Sequence, residues 1–326
     1  MPEVFTWVTP DASKGIDMLD LRDKFEEFVA NLRFGARTLL AFCSGRVSEL
    51  RMALDFLVDE ARNGVGDRGR YDWAGGCRRA LEAFPVLDAD WLADLLPADC
   101  VTVSMATDTG ITMPNYPADL EVSEDGGPTH GLPALSAVAF PEMNGVTVVP
   151  FNQAAIYPSP ALKPFNSQRN AEDVDEAISG FLEDKVTEEE FGELACVLHF
   201  FMRQPAYSGM TAEVLEAYPV IFGQDSLAVS RAVGQFARMT GTPVQDDLMA
   251  MAKSAETPET FGDWDKMACG LVIAGSRVRA ASVTLRESDE GHEQIERLLG
   301  SLKEKNFDEE RTIGFMFTTD GRRRRY

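Results

Sequence analysis

The sequence contains few of the features that tie a chain to a membrane or a metal. No stretch runs for about 18 apolar residues, so we expect no membrane-spanning helix and no membrane partner. Its three histidines, His130, His199 and His292, are scattered, and no His/Cys cluster has the spacing of metal ligands. We therefore expect neither a metal site nor a cofactor.

Cysteine is also scarce and widely spaced. An odd number of residues with no C-x-x-C pair excludes a disulfide framework and a zinc ribbon, so we expect buried, reduced thiols. The five residues are Cys43, Cys77, Cys100, Cys196 and Cys269.

Positive charge is in short supply. The 326 residues include 53 acidic and 31 basic side chains, which gives a formal net charge of -22. Such a field repels nucleic acid and anionic membranes at long range and keeps a protein in solution. Apolar residues make up 44% of the chain, which is typical of a globular protein with a core of normal size.

The usual short catalytic motifs are absent. A nucleophile elbow, a P-loop and a zinc-protease helix are all missing, so an active site would have to be assembled in space. The glycines of "GVGDRG", Gly64 to Gly69, follow a helical stretch, which favours a helix-ending turn over a dinucleotide site. The acidic pairs in 88–90 and 173–176 favour helix capping over cation binding.

The periodicity predicts a mainly α fold: a helical core with a few short strands, a Pro/Gly-rich middle and extended terminal segments. We divide the chain into a mostly helical domain (1–105), an irregular connection with a short strand (106–169), a helical domain (170–305) and an extended arm with a basic tip (306–326). Strands are expected only at 3–8, 100–105 and 145–151. Helices are expected at 17–34, 47–63, 72–84, 88–96, 191–204, 226–239, 245–255 and 288–302.

Two basic stretches stand out in the acidic chain. Arg277, Arg279 and Arg286 alternate with small and apolar residues, which suits either a phosphate-contacting groove or a solvated face with acidic neighbours. The chain closes on Arg322, Arg323, Arg324 and Arg325, directly after the extended apolar segment 311–320. This tip would contact either an acidic surface or an enclosed phosphate, or it would be a tail without a function.

The C-terminal half resembles the coat proteins of flexuous filamentous plant viruses, of the potyvirus and potexvirus type, over about residues 185–320. The likeness is carried by "ELACVLHFFMRQPAYSG", from Glu193, and by "SLAVSRAVGQFARMTGTPVQDDLMAMAKSA", from Ser226. The resemblance implies a helical subunit that forms a filament through its arms and encloses single-stranded RNA. Its implied RNA contacts are Arg231, Arg238, Arg277 and Arg279, and Arg286 is the other candidate.

Three functions follow from these observations. The sequence favours a non-enzymatic, self-assembling coat or nucleocapsid subunit, because extended apolar segments at both ends need a neighbour to bury them. The alternatives are an acidic interaction module for a basic protein partner and an enzyme with a spatially assembled site. The first function implies a homo-oligomer in the cytoplasm or a virion, with no secretory signal expected at the N-terminus.

Overall fold

The protein is described here by a computed structural model. It describes residues 1–9, 17–44, 47–63, 71–84, 88–107, 134–152, 194–202, 228–234, 236–240, 248–249, 252, 269–283, 292–308 and 311–315. Within these residues the chain forms nine strands and five helices of seven residues or more. None of these helices is both long and apolar enough to cross a bilayer.

The helices begin where short polar side chains cap them. They are α1 (Met18–Asn31), α2 (Glu49–Asn63), α3 (Trp73–Ala83), α4 (Asp88–Asp94) and α5 (His292–Lys303). The Asp17 carboxylate accepts hydrogen bonds from the Leu19 and Asp20 amides at 3.1 and 3.0 Å. The Asp72 carboxylate accepts one from the Gly75 amide at 3.0 Å. Each carboxylate thereby satisfies amides that have no partner within the helix.

The strands form two mixed sheets. Sheet 1 has the order β1-β4-β2-β3-β8, and sheet 2 has the order β5-β9-β6-β7. The strands are β1 (Glu3–Val8), β2 (Ala36–Ser44), β3 (Val101–Thr107), β4 (Ala134–Pro141), β5 (Thr147–Asn152), β6 (Leu194–Met202), β7 (Ala228–Gly234), β8 (Phe236–Met239) and β9 (Cys269–Ala274).

The first four strands of sheet 1 and the four strands of sheet 2 have the same topology. In each set the first strand pairs antiparallel with the last, the last pairs antiparallel with the second, and the second pairs parallel with the third. The register also agrees. A shift in pairing falls between Ala36 and Thr38 in β2 and between Leu194 and Cys196 in β6. Residues of the two sheets can therefore be matched one to one.

The sheets pack through matched faces. Between them lies an inner core that includes Leu40 and its match Leu198, and Phe42 and its match Phe200. The rings of Phe42 and Phe200 meet edge to face, with centroids 5.5 Å apart. Because matched residues contact each other here, we call these the inner faces of the sheets.

The outer face of sheet 1 is covered by helices. Its core joins Leu39 and Ala41 of β2 to Phe25 of α1, Leu57 of α2 and Trp91 of α4. Phe5 of β1 stacks edge to face on Phe25, with ring centroids 5.1 Å apart. Helices, sheet 1 and sheet 2 thus form three successive layers, which is a mixed α/β arrangement.

One strand connection joins the two sheets. Strand β7 lies at the edge of sheet 2, and β8, which begins two residues after it ends, pairs antiparallel with β3 of sheet 1. The Thr240 amide also donates to the Thr102 carbonyl at 2.8 Å, and the Thr102 amide donates to the Thr240 hydroxyl at 3.0 Å. Sheet 1 is therefore completed by a segment that follows sheet 2 strands in the sequence.

The expectation of a mainly α fold is wrong. The helix predicted over 191–204 is strand β6, and the helix predicted over 226–239 is β7 followed by β8. Strand β6 is buried on both faces, at Leu198 on the inner side and Val197 on the outer side. Such a strand is apolar without alternation, so its pattern resembles that of a buried helix.

The other predicted elements compare better with the structure. The strands expected near both ends of the first half and at 145–151, and the helices of the first half and at 288–302, are confirmed. Strands β2 and β4, over 36–44 and 134–141, were not predicted. The domain boundaries at 105, 169 and 305 stay a prediction.

Both terminal segments contact their own chain. Strand β1 pairs with β4 along its whole length. In the described part of the C-terminal arm, Ile313 and Phe315 pack against the inner core, and the Phe315 ring lies 6.1 Å from that of Phe42. Self-association through these arms stays a prediction, and residues 316–326 lie outside the described residues.

Candidate functional site

The carboxyl ends of the parallel strands β2 and β3 lie at one edge of sheet 1. Ser44 and Thr107, the last residues of these strands, are register partners. Val8 at the end of β1 pairs with Ala134 at the start of β4, so these ends lie at the same edge. Helix α2 begins five residues after β2 ends. In sheets of this kind, ligands bind beyond the carboxyl ends of the strands. We call Thr9, Ser44, Ser48, Glu49 and Thr107 the carboxyl edge.

Buried hydroxyls of the carboxyl edge are held by backbone groups. The Ser44 hydroxyl accepts a hydrogen bond from the Ala134 amide at 3.2 Å, and the Ser44 carbonyl accepts one from the Val47 amide at 2.9 Å. The Ser48 hydroxyl accepts from the Arg51 amide at 3.0 Å and so caps α2. Ser44 is 2% exposed and Ser48 is fully buried. The edge is therefore a fixed polar surface at the start of a 15-residue helix.

Glu49 places a carboxyl group at this helix start. Burial raises its pKa above the ordinary value, and its Oε2 atom is buried. The amino end of a helix favours the ionised form of a carboxyl group, which alone would lower the pKa. Burial is the larger influence here. A carboxyl group that holds its proton to higher pH is suited to proton transfer near neutrality.

A second polar cluster, at the far end of α2, has a different character. The Glu60 carboxylate accepts from the Tyr71 hydroxyl at 3.1 Å and from the Arg79 guanidinium at 3.1 Å. The Arg79 hydrogen bond, and secondarily that of Tyr71, lowers the pKa of Glu60, so this carboxylate stays ionised. The cluster connects α2 to α3 at the surface, and we assign it a structural role.

The arginines proposed from the sequence do not form one described surface. Arg238 lies in β8 of sheet 1 and is only 4% exposed, whereas Arg231 lies in β7 of sheet 2. Arg277 is exposed, and its amide donates to the Gly145 carbonyl at 3.2 Å. Arg286 and the tip, Arg322, Arg323, Arg324 and Arg325, lie outside the described residues. Nucleic-acid binding by these residues stays a prediction.

Arg279 is engaged within the chain. Its guanidinium donates to the Lys305 carbonyl just beyond the end of α5 and lies 5.4 Å from the centre of the Phe307 ring. Asn306 between them adopts a left-handed backbone with φ of 49°. A cation at a helix carboxyl end is favoured by the helix dipole. Arg279 therefore stabilises the end of α5.

The thiols are poor nucleophiles near neutral pH. Cys43, Cys77, Cys100 and Cys269 are buried, and Cys196 is half-buried. Burial raises the pKa of Cys100 to about 11 and that of Cys196 to about 12, so neither is a thiolate near pH 7. Among the described residues, no group of three His, Cys, Asp or Glu side chains is arranged to hold a metal ion.

Sequence reasoning missed the carboxyl edge because it did not recognise β2. The run "ARTLLAFCS" of Ala36–Ser44 is buried on both faces, so it does not alternate. One signal was available: a short apolar run between glycines, followed by a serine at the start of an amphipathic helix, is typical of a strand–loop–helix unit.

The comparisons with known proteins are few. No family model and no curated protein matches the chain. Among solved structures, one match is described in the words "Cyanuric acid hydrolase: evolutionary innovation by structural concatenation". The match has a TM-score of 0.29 and 12% identity, and it covers 93% of this chain and 77% of that chain. The family resemblance inferred from the sequence is not tested by these comparisons.

The expected function of a self-assembling coat subunit is wrong. That function required a helical core over residues 185–320. Instead, both segments that carry the resemblance supply buried strands, β6 to sheet 2 and β7 and β8 to the junction of the two sheets. The correction leaves the enzyme and the acidic interaction module as the functions to consider.

Proposed function

We propose that the protein is an enzyme that uses Glu49 as a general acid–base at the carboxyl edge of sheet 1. The observation that carries the proposal is the Glu49 carboxyl group, whose pKa burial raises, at the first turn of α2. Perturbed carboxyl groups of this kind concentrate at functional sites.

The surroundings of Glu49 suggest the class of substrate. The first amides of a helix have no partner within the helix and favour negative charge, including charge that develops during a reaction. The buried hydroxyl groups of Ser44 and Ser48 lie at the same edge. A carboxyl group that moves protons beside such amides suits acyl transfer to water, in which a carbonyl oxygen becomes negative. We therefore expect hydrolysis of a small ester or amide.

The experiment is a turnover screen against small esters, amides and lactams over roughly pH 5 to 9, with the wild-type chain and Glu49→Gln. The substitution removes the titrating proton and keeps the shape of the side chain. We expect kcat/KM to fall by about 100- to 10,000-fold and the pH dependence set by Glu49 to disappear. Turnover that Glu49→Gln leaves unchanged would contradict the assignment.

The matched control is Glu60→Gln on the same helix. It makes the same chemical change at a carboxylate that contacts Tyr71 and Arg79 rather than the carboxyl edge. We expect kcat/KM to stay within about twofold of the wild-type value. A wild-type chain that turns over no member of the panel would count against hydrolysis and favour the second candidate.

The second candidate is an acidic interaction module for a basic protein partner, and the net charge of -22 supports it. Polylysine is a suitable probe. If charge carries the function, binding should be tight at low salt and fall steeply as the ionic strength rises above about 0.1 M. Binding that salt does not affect would contradict this candidate.

A further inference from the structure

The matched registers allow one row of residues to be compared across the two sheets. In sheet 1 the row runs from Phe5 in β1 through Ala137 in β4 and Ala41 in β2 to Ser104 in β3. In sheet 2 the matched row runs from Phe151 through Gly270 and His199 to Arg231. Both rows lie on the outer face of their sheet, because Leu198 and Phe200, on either side of position 199, belong to the inner core.

In sheet 1 this row is small and closely covered. Ala41, Ala137 and Ser104 are each at most 1% exposed, and Ala41 and Ala137 belong to the core beneath the helices. Small side chains in the middle of a sheet let the covering helices approach. The row therefore serves packing alone.

In sheet 2 the same row begins in the same way and then changes. Phe151 matches Phe5 and is 1% exposed, and a Cβ atom at Gly270 would lie 2.7 Å from Cζ of its ring. The outer face is buried around this row, with Val197 fully buried and Val272 4% exposed. At the two positions where sheet 1 has Ala41 and Ser104, sheet 2 has His199 and Arg231.

This juxtaposition has a chemical meaning. Neighbouring strands lie about 4.8 Å apart, so register partners on one face are neighbours. A guanidinium in a buried region is costly without a counter-charge, and its planar fork fits two oxygens of one oxyanion. A neighbouring imidazole donates a hydrogen bond and adds positive charge when it is protonated.

We infer that the outer face of sheet 2 carries a binding site for a small oxyanion, a phosphate-like or carboxylate group, centred on the register pair His199 and Arg231. The inference does not depend on the proposed enzyme, because this pair lies in sheet 2 and Glu49 follows a strand of sheet 1. The site distinguishes two sheets that otherwise share one topology.

The test is titration of the full chain with sulfate and with malonate, followed by calorimetry and by thermal unfolding. Sulfate stands for phosphate-like ligands and stays doubly charged across the pH range, and malonate stands for dicarboxylates. We expect saturable binding of at least one of the two, with a Kd of about 1 mM or tighter. For sulfate, affinity should rise as the pH falls below about 6.5, because an ordinary imidazole gains its proton there.

Three variants decide whether the pair is responsible. Arg231→Gln should weaken binding at least about tenfold, and His199→Gln should abolish the pH dependence of sulfate binding. Arg277→Gln makes the same charge change at an exposed arginine and should leave the Kd unchanged. Where Arg231→Gln does not fold, Arg231→Lys keeps the charge but loses the planar fork, and it should also weaken binding.

The outcomes separate a ligand site from a structural pair. If Arg231→Gln or Arg231→Lys lowers the melting temperature while the Kd for the anion stays at the wild-type value, the pair is structural and the inference is wrong. Absence of saturable binding of both anions to the wild-type chain overturns it as well. Binding of malonate without sulfate supports the site and assigns it to carboxylates, and the reverse result assigns it to phosphate-like groups.

Discussion

The two sheets share a strand order and a register but differ in what fills their faces. Matched positions keep the same residue where the sheets meet, at Leu40 and Leu198 and at Phe42 and Phe200. On the outer faces, Ala41 is matched by His199 and Ser104 by Arg231. The shared interface thus constrains the sequence more than the shared topology does, since the same pairing accepts small or charged residues where the covering layer differs.

The strongest way to break the comparison is to truncate one ring of the matched aromatic pair. Phe200 is fully buried and Phe42 is 7% exposed, so Phe200→Ala and Phe42→Ala should each lower the free energy of unfolding by about 3–5 kcal/mol. In the double variant the losses should not add, and the coupling should be about 0.5–1.5 kcal/mol. Chemical denaturation measures all three values, and strictly additive losses would contradict the ring contact.

A smaller effect should come from exchanging the matched residues Ala137 and Gly270. In Gly270→Ala the new methyl group would overlap the Leu198 carbonyl oxygen and lie close to the Phe151 ring, which predicts a loss of about 1–3 kcal/mol. Ala137→Gly removes a buried methyl group and should lose about 1 kcal/mol. Unfolding by urea distinguishes the two. A Gly270→Ala protein as stable as the wild type would show that the Phe151 ring does not lie on Gly270.

The two glutamates of α2 offer a comparison by pH. Because the folded-state pKa of Glu49 is raised, its contribution to stability is present below the pKa of the unfolded chain and is lost as the pH rises through the folded-state value. Glu49→Gln should therefore be more stable than the wild type near pH 7 and equal to it near pH 3. A lower melting temperature at pH 7 would contradict the burial cost.

Glu60→Gln should show the opposite sign. The pKa of Glu60 is lowered chiefly by Arg79, so its contribution is present above the unfolded-state pKa and is lost as the pH falls through the folded-state value. The cluster is exposed, so the loss near pH 7 should be at most about 1 kcal/mol. Melting temperatures across the acidic range measure it, and equal curves for Glu60→Gln and the wild type would mean that the pair contributes nothing.

The smallest expected effect concerns the thiols near the starts of the central strands. With pKa values of about 11 for Cys100 and about 12 for Cys196, both stay protonated at pH 8. Both should react with a disulfide reagent more slowly in the native chain than in the unfolded chain. Rapid modification of Cys196 alone would show that the half-buried position in sheet 2 opens more readily than Cys100 beside sheet 1.

The sequence predicted those elements whose pattern one buried face determines. Helix α2 has a single apolar stripe that includes Leu50, Leu54 and Leu57, and β1 alternates between the buried Phe5 and Trp7 and their more exposed neighbours. Strands β2 and β6 are covered on both faces, so neither shows the alternation that identifies a strand. The helical assignment of β6 followed from this ambiguity.

The candidate site was less predictable than the fold. Ser44 and Thr107 are 63 positions apart and meet only because β2 and β3 are parallel neighbours. His199 and Arg231 meet for the same reason in sheet 2. Residues brought together by pairing between distant strands leave no local pattern, so His199 was considered alone in a helix and Arg231 among RNA contacts.

The passage of the chain from β7 to β8 has a consequence for biosynthesis. Strand β3 receives its second neighbour only from Phe236–Met239, more than 120 residues after β3 itself. While the ribosome makes the intervening segment, the nascent first sheet has an open edge at β3, although its helices are already available to fold. Chains released early would present that edge to one another, so we expect the time between translation of β3 and β8 to be the period most exposed to aggregation and chaperone binding.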